Sequence, residues 1–241
     1  MREDSENRWQ ENRLLASLPE RDRARLLPQL EILTLFAKEK LYESGEEINY
    51  SYFPLDCILV LISSVDAKAT VEVGLIGNEG MAGAQILMGA KHSNSEVLIL
   101  AEGKALRLPV AVLKKEAKRS SRMREVMLTY ANALLEQSAQ LAACHRYHTP
   151  KARLARLLLM IDDRVTASEL HITQEFLAHL LGTRRATVTQ AASQIQVDGL
   201  IQSVRGRIRF LDRKGLEHEA CSCYAIIAQQ YSSQNHSAVQ Q

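Results

Sequence analysis

The stretch LLGTRRATVTQAA, residues 180–192, places a glycine and two adjacent arginines at the junction of two short helical patterns. A guanidinium group is a planar fork of hydrogen-bond donors, so it can pair with guanine O6 and N7 in the major groove of DNA or with a phosphate. The threonines and the glutamine behind the arginines add groups that hydrogen-bond to base edges. The residue types and their spacing therefore point to contacts with nucleic acid.

A helix-turn-helix over residues 173–195 would position these side chains. Ala178 stands where the two helices cross, and Gly182 can take the left-handed conformation that ends the first helix. Thr173 is a sound N-cap, with Glu175 in the first turn. The apolar positions that would form the buried faces are Leu177, Leu181, Val188 and Ile195.

Helical phase divides the second helix into two faces. Val188, Ala191 and Ile195 face inward, so the neighbouring polar positions share the outer face. We predict that Arg185 reads a base, that Thr189 and Gln190 make secondary base contacts with Thr187 beside them, and that the phosphate contacts come from Arg184, Arg205 and Arg207. The alternative is that these arginines are solvated surface charges.

The segment DGLIQSVRGRIRFLD after the second helix predicts a winged helix. Gly199 stops the helix, and strands at 201–204 and 208–211 flank a tight turn at Arg205 and Gly206. Residues 150–217 hold eleven Lys and Arg against seven Asp and Glu, a net charge of +4, whereas residues 1–149 hold nineteen against twenty, a net charge of −1. A local positive excess suits a surface that binds phosphates.

The remaining sequence must hold this region in place. Residues 12–31 predict short helices, and residues 32–108 predict short strands with glycine turns, typical of a small antiparallel barrel or sandwich. From Ser120 a single helix of about seven turns is expected, and we predict that its apolar seam pairs with a second copy of the chain, with Gln137 setting the register. Packing within one chain is the alternative. The seam residues are Met123, Met127, Tyr130, Leu134, Gln137, Leu141 and Cys144.

The fold class is therefore α+β, with four parts. They are a β-roll sensor at residues 12–118, a dimerisation helix at 119–148, a winged helix-turn-helix at 149–217, called the head below, and a tail at 218–241. The opening MREDSENRWQ lacks the apolar core of a signal peptide, and runs such as CILVLI fall well short of the ~20 residues that span a bilayer. We expect a cytoplasmic protein without membrane contact and with reduced thiols.

Residues 12–217 resemble the Crp/Fnr superfamily of bacterial transcription factors. The resemblance rests on LYESGEEINYSYFP and GNEGMAGAQILMG in the β-roll, CHRYHTPKARLARLLL at the hinge and ITQEFLAHLLGTRRATVTQAASQIQVDGLI in the head. It implies a cyclic-nucleotide-binding-like β-roll and a homodimer on a near-palindromic site of double-stranded DNA, with half-sites roughly 34 Å apart. RNA polymerase is a further partner that the resemblance suggests.

The β-roll departs from members of the superfamily that bind cyclic nucleotides. Those members use a glutamate after a glycine of the sensor loop and an arginine about eleven residues later. Here Gly83 matches the glycine, the glutamate position is Ala84, and the arginine position falls at or near Asn94, beside Ser95. A buried phosphate without its arginine loses about 1.5–3 kcal/mol. We predict an effector site at these residues that does not bind cyclic AMP or cyclic GMP in the usual mode, and the effector, if any, is unidentified.

The cysteines do not predict a metal or cofactor. The iron–sulfur branch of the superfamily needs cysteines near the N-terminus, and here the first is Cys57; no haem signature is readable. In the tail, His218, Cys221 and Cys223 are close enough to share a zinc or to form a redox pair, but a Cys-x-Cys without a second pair falls short of four ligands. Packing as small hydrophobes is favoured, also for Cys144.

The sequence favours a homodimeric, sequence-specific DNA-binding transcription regulator. One rival is a ligand-binding module whose head docks on a protein. A second rival is an enzyme, but the sequence shows no nucleophile elbow, phosphate-binding glycine loop or paired-histidine metal motif. We therefore assign no catalytic residue.

Overall fold

The computed structural model describes residues 8–66, 69–165 and 169–237, and for residues 232–237 it describes the backbone. The helices are α1 (Arg13–Ala16), α2 (Glu20–Leu26), α3 (Val110–Arg119), α4 (Ser121–Tyr147), α5 (Pro150–Asp162), α6 (Gln174–Leu180), α7 (Arg185–Val197), α8 (Arg213–Glu219) and α9 (Cys223–Ser237). The strands are β1 (Glu31–Leu35), β2 (Lys40–Tyr42), β3 (Tyr50–Pro54), β4 (Ile58–Asp66), β5 (Ala69–Ile76), β6 (Glu96–Ala101), β7 (Gly103–Pro109), β8 (Glu169–His171), β9 (Ile201–Val204) and β10 (Arg207–Phe210).

The N-terminal strands form the predicted antiparallel β-roll. One sheet has the order β1-β7-β3 and the other the order β2-β6-β4-β5, and all their pairings are antiparallel. Apolar side chains from both sheets are fully buried in the core, among them Phe53, Leu59 and Leu106. The α+β fold class with a β-roll, a long helix and a C-terminal helix-turn-helix is confirmed.

The long helix α4 begins and ends at capped positions. The Ser120 side chain accepts a hydrogen bond from the Met123 backbone N–H at 3.2 Å, which satisfies one of the unpaired donors of the first turn. The helix runs for 27 residues to Tyr147. Pro150 then opens α5 at a position where its missing N–H costs no helix bond.

The predicted dimer seam is buried within one chain, so that expectation needs correction. Met123, Met127 and Leu141 have no exposed surface, and the Tyr130 hydroxyl donates to the Met81 carbonyl at 3.2 Å. Leu134 is also buried. The seam packs on the β-roll of its own chain, and α9 lies along the same helix. The periodic pattern correctly predicted that this face is buried. The predicted covering element, a second copy of the helix, is replaced by parts of the same chain.

Gln137 lies in this seam and sets the position of α4 on the β-roll. Its Oε1 accepts from the Leu75 N–H at 2.7 Å, and its Nε2 donates to the Leu75 carbonyl at 3.3 Å. The same Nε2 also bonds to the Tyr231 hydroxyl of α9. The side chain therefore holds register between α4 and β5 of one chain, and not between two copies.

The C-terminal residues form part of the fold. Helix α8 runs across residue 217, where we placed the end of the head, and α9 packs along α4 with Ile227 and Tyr231 buried. Among the residues described, no helix combines the length and the apolar character needed to cross a membrane.

Buried ion pairs fasten the head to the β-roll. Arg156 of α5 bonds to Glu72 of β5, and neither side chain has exposed surface. Arg164 Nη2 lies 2.8 Å from Glu79 Oε1, with both side chains nearly buried. Charges taken out of water are stable only when they are paired, so each partner depends on the other.

Candidate nucleic-acid interface

The head forms the helix-turn-helix that the sequence predicts. The Thr173 side chain accepts from the Phe176 N–H at 3.2 Å and caps α6. Gly182 has a φ of +57°, the left-handed conformation that turns the chain toward α7. The second helix then begins at Arg185, with Arg184 as its N-cap residue.

The two faces of α7 are divided as helical phase indicates. Val188, Ala191 and Ile195 are buried against the rest of the head. Thr187 is half-buried at the edge between the faces. The exposed positions in the first half of the helix and at its N-cap are Arg184, Arg185, Ala186, Thr189 and Gln190.

Thr189 is held in place by a residue that the sequence reasoning missed. Its Oγ1 lies 2.6 Å from Gln174 Oε1, on the preceding helix α6, and 3.0 Å from the Arg185 carbonyl. Gln174 is the residue after the N-cap Thr173. A polar side chain at this position, close to the second helix, could have indicated the contact from the sequence. The contact fixes one side chain of the outer face before any ligand arrives.

Arg185 is only loosely paired. Its Nη1 lies 3.7 Å from Glu175 Oε2, and the two side chains are 69% and 75% exposed. Exposed pairs at this distance contribute little, because water screens them and both side chains lose freedom on pairing. The guanidinium is therefore available to a better partner.

The wing is a two-residue hairpin with a third strand beside it. Strands β9 and β10 pair antiparallel around Arg205 and Gly206, whose φ values of +49° and +79° match a type I′ turn. β10 begins at Arg207, one residue earlier than predicted, and it also pairs with β8. The arginines at 205, 207 and 209 are exposed, whereas Ile208 between them is buried.

One end of the α7 surface faces the β-roll across a cleft of about 1400 Å³. Arg184, Arg185 and Thr187 line the cleft together with Thr70 and Val71 of β5. The outer-face and wing side chains at 189, 190, 205 and 207 lie outside it. The α7 surface is thus open along its length and partly enclosed at its beginning.

Direct contacts close the base of this cleft. Thr70 Oγ1 lies 2.9 Å from His179 Nδ1, and Arg153 donates to the Leu181 carbonyl. Burial lowers the pKa of His145 to about 4, so this imidazole is neutral; its Nδ1 accepts from Arg153 at 2.7 Å, and its Nε2 lies 3.1 Å from the Glu72 carbonyl. The head and the β-roll are therefore joined by specific polar contacts.

A family description matches this part of the chain. The description of the Crp-like helix-turn-helix domain matches residues 152–219, which include α5 from Ala152 onward, the helix-turn-helix and the wing. Residues 152–219 form a Crp-like helix-turn-helix domain. A search of the curated proteins finds no match.

Solved structures place the Crp-like domain in the wider fold of Crp/Fnr transcription regulators. FixK2 from Bradyrhizobium japonicum superposes with a TM-score of 0.68 at 16% identity, over 80% of this chain and 98% of that one. A transcriptional regulator of the Crp/Fnr family from Eubacterium rectale gives 0.68 at 18% identity, over 86% and 96%. The c-di-GMP-responsive global regulator CLP of Xanthomonas campestris gives 0.65 at 14% identity, over 80% and 99%. The resemblance drawn from the sequence is confirmed in its fold.

The positions predicted for an effector lie in the β-roll, away from the Crp-like domain. Gly83 has a φ of +88°, and a Cβ there would lie 3.1 Å from the Tyr42 hydroxyl and 3.2 Å from Ser51 Oγ. Ala84 is buried, whereas Asn94 is exposed and Ser95 half-buried on the following loop. The space over Gly83 is filled by side chains of the same chain. A phosphate at this glycine would have to displace them.

Proposed function

We propose that this protein is a sequence-specific DNA-binding transcription regulator that acts as a homodimer. The observation that carries the proposal is the arrangement of exposed cations on the Crp-like domain. The start of α7 and the wing both present arginines, and the ion pairs of Arg185 and Arg207 within the described residues are long, at 3.7 Å and 3.6 Å. A surface of this kind suits two adjacent stretches of a phosphate backbone with a base edge between them.

Within that surface we assign separate roles. Arg185 reads a base, since it stands on the first turn of α7 and its ion pair with Glu175 is weak enough to be exchanged for a base. Thr189 and Gln190 make further base contacts, and Gln174 orients Thr189 beforehand. Arg184, Arg205 and Arg207 contact phosphates, and Thr187 supports the beginning of the helix.

The dimer contact belongs on the outer face of α4, because its inner face is occupied. An exposed stripe recurs at steps of four and three residues along this face, which is the spacing of a coiled-coil seam. Leu135 within the stripe is 61% exposed, so it has apolar surface to bury against a second copy of the helix. The stripe consists of Leu128, which is half-buried, and the exposed residues Asn132, Leu135, Ala139 and Ala142.

We further propose that the β-roll responds to a small molecule other than cyclic AMP or cyclic GMP. The two charges that hold these nucleotides in related proteins are replaced by Ala84 and, at or near the arginine position, Asn94. Tyr42 and Ser51 occupy the space over Gly83. Calorimetry with either cyclic nucleotide should show no binding at micromolar concentration, and micromolar affinity would contradict this part of the proposal.

Selection from random double-stranded DNA with the reduced, full-length protein tests the main proposal. We expect enrichment of a near-palindrome whose half-sites are centred about one helical turn apart, roughly 34 Å. Binding to the selected site should weaken steeply with salt, since several phosphate contacts release counterions. The double variant Arg185→Ala/Gln190→Ala should enrich no such site.

The outcomes separate the proposal from its rival. A head that docks on a protein would enrich no sequence, and any binding to DNA would be equally weak for all fragments. Such a result, obtained with folded protein, would overturn the assignment of a sequence-specific regulator.

Sedimentation of the free protein tests the dimer face. We expect a dimer, and Leu135→Asp should convert it to a monomer by placing charge in the seam. Phe36→Asp, at a side chain with similar exposure of 56% in the β-roll, should remain dimeric. A wild-type monomer, or a dimer that survives Leu135→Asp, would contradict the assigned face.

A further inference from the structure

Four metal-ligating side chains meet where α4 ends and α9 begins. Cys144, His148, Cys221 and Cys223 each offer one ligand atom, and these atoms all lie within 4.8 Å of one another. Cys144 Sγ is 3.4 Å from Cys221 Sγ, and Cys223 Sγ is 3.5 Å from His148 Nδ1. No other group of at least three such side chains converges in this way within the described residues.

These separations approach those of a tetrahedral metal centre. With Zn–S bonds of about 2.3 Å and Zn–N bonds of about 2.0–2.1 Å, neighbouring sulfurs are about 3.8 Å apart and a sulfur and a nitrogen about 3.6 Å. The Cys144–Cys221 and Cys223–His148 pairs are already close to these values. A central ion requires shifts of a few tenths of an ångström in the near pairs and about 1 Å in the farthest one.

The ligands come from two parts of the chain. Cys144 and His148 are one helical turn apart at the end of α4, so both project to one side. Cys223 is the first residue of α9 and Cys221 precedes it by two residues; Cys221 is 77 residues further along the chain than Cys144. The tail motif that lacked a second pair therefore has one. His218 is outside the group, since it is exposed and its Nδ1 lies 2.7 Å from the Lys214 carbonyl.

The surroundings favour a buried thiolate centre. The three cysteines are buried and His148 is half-buried, which gives a dry site with one accessible edge. Gln140 Nε2 donates to Cys223 Sγ at 3.0 Å, and a hydrogen bond of this kind fixes the direction of a metal ligand.

Charge supplies an independent argument. Arg153 is 8% exposed, and its contacts are with the Leu181 carbonyl and His145 Nδ1. Among the residues that the structure describes, no carboxylate pairs with it. Three thiolates, one neutral imidazole and a divalent cation carry a net charge of −1, and both Arg153 and Arg156 are close enough to interact electrostatically with Cys144. An anionic centre would complement these two buried cations, which otherwise share the negative charge of Glu72.

We propose that Cys144, His148, Cys221 and Cys223 form a Cys₃His site for a thiophilic divalent cation of the zinc class. The three thiols release their protons to solvent when the ion binds, and the histidine binds as the neutral imidazole. All four positions are then filled by protein, so the site is structural. It ties the C-terminal helix to the end of α4, beside the hinge that joins the head.

A disulfide between Cys144 and Cys221 is the nearest rival. It would use two of the four ligands and would not explain why Cys223 and His148 lie beside them. A simple packing role accounts for burial but not for a histidine nitrogen and three sulfurs directed at one point. This inference goes beyond the proposed function, and its tests need no DNA.

Metal analysis of the full-length protein, purified under reducing conditions and reconstituted with Zn²⁺, gives the first test. We expect about one ion per chain after removal of excess metal. Cobalt(II) in place of zinc should give thiolate-to-metal charge-transfer bands and the visible bands of tetrahedral coordination. A chromophoric chelator added in rising amounts measures how tightly the wild-type protein holds zinc, without any substitution.

Matched variants locate the site. Cys144→Ser, Cys221→Ser, Cys223→Ser and His148→Gln should each weaken zinc retention at least tenfold. Cys57→Ala, at a buried cysteine in the β-roll, and His218→Gln, at the tail histidine outside the group, should retain it. Circular dichroism confirms that each variant is folded before its metal content is compared.

Each of the following results would overturn the proposal. One is folded, reduced wild-type protein that keeps no zinc and shows no cobalt–thiolate band. Another is zinc retention that is unaffected by the four ligand variants. A Cys144–Cys221 disulfide in metal-free protein that cannot be reconstituted after reduction would assign the cluster to thiol chemistry instead.

Discussion

Two groups of arginines divide the head by what surrounds them. Arg156 and Arg164 lie on the side that meets the β-roll, where each is buried against a glutamate. Arg185 and Arg207 lie at the start of α7 and in the wing, where their nearest acidic atoms are 3.7 Å and 3.6 Å away and the side chains are more than half exposed. The first group holds the domain in position, and the second remains free to bind a ligand.

This difference changes the meaning of the local charge excess. The net charge of +4 in residues 150–217 counts every basic residue alike. Arg156, Arg164 and Arg213 pair with acidic groups, two of them with glutamates outside this range. Because the charges of a buried pair cancel each other, the positive field outside the head comes from the exposed arginines of α7 and the wing.

The largest expected effect is on stability, at the buried pair. Arg156→Met should lower the free energy of unfolding by about 3–5 kcal/mol, because Glu72 would be left charged and unpaired in the interior. Urea denaturation measures the loss. The double variant Arg156→Met/Glu72→Leu should recover most of it, since the orphaned charge is gone.

A control from the other group sharpens this result. Arg209→Met, at an exposed wing arginine whose nearest acidic atom is 4.0 Å away, should change stability by less than about 0.5 kcal/mol. Equal losses at positions 156 and 209 would show that the two groups are not distinct.

The next effect is on recognition. Arg185→Ala should weaken binding to the selected DNA site by about 1–3 kcal/mol and relax the preference at one base pair in each half-site. Its unfolding curve should match that of the wild type. Fluorescence anisotropy with a set of single-base variants of the site measures both quantities.

Lys214→Ala is the matched control for this substitution. Lys214 is exposed on α8, outside α7 and the wing, and should leave both affinity and preference unchanged. If Arg185→Ala weakens all sequences equally, Arg185 contacts a phosphate and not a base.

A smaller and different effect is expected at the wing. Arg205→Ala and Arg207→Ala should each weaken binding about equally for every sequence, and each should reduce the slope of log affinity against log salt by about one. Titrations at several salt concentrations give the slope. An unchanged slope would remove these residues from the phosphate contacts.

The smallest effect is expected at a paired but partly exposed cation. Lys151 Nζ lies 2.8 Å from Asp198 and 2.6 Å from Glu219, with 26% of its side chain exposed. Lys151→Met should cost at most about 1 kcal/mol, since water screens the pair. The cost should shrink in 1 M salt, unlike that of Arg156→Met. If the two substitutions showed the same salt dependence, burial would not be what distinguishes these ion pairs.

What the sequence predicted well was local. The cap at Thr173, the left-handed turn at Gly182 and the hairpin at Arg205 and Gly206 depend on neighbours within a few residues, and the structure has all three. The buried face of α7 followed from helical phase for the same reason. These features outline the candidate DNA surface before any tertiary contact is known.

What could not be predicted depended on distant partners. Glu72 and Arg156 are 84 residues apart, and Cys144 and Cys221 are 77 apart, so no spacing rule connects them. The seam of α4 shows the same limit of prediction from local sequence. Its period showed that Met127 and Leu141 are buried, but only the folded chain shows that the helix packs against the β-roll and α9 of the same chain.

The position of α9 decides how this protein can be divided for experiments. Truncation after residue 217, the end of the wing domain by sequence, removes the helix whose Tyr231 contacts Gln137 and whose apolar residues cover α4. Such a fragment would expose an apolar groove along α4 to solvent and should aggregate. A shortened chain would then fail a DNA-binding assay for reasons unrelated to recognition. Dissection by point substitution in the full-length chain avoids that artefact.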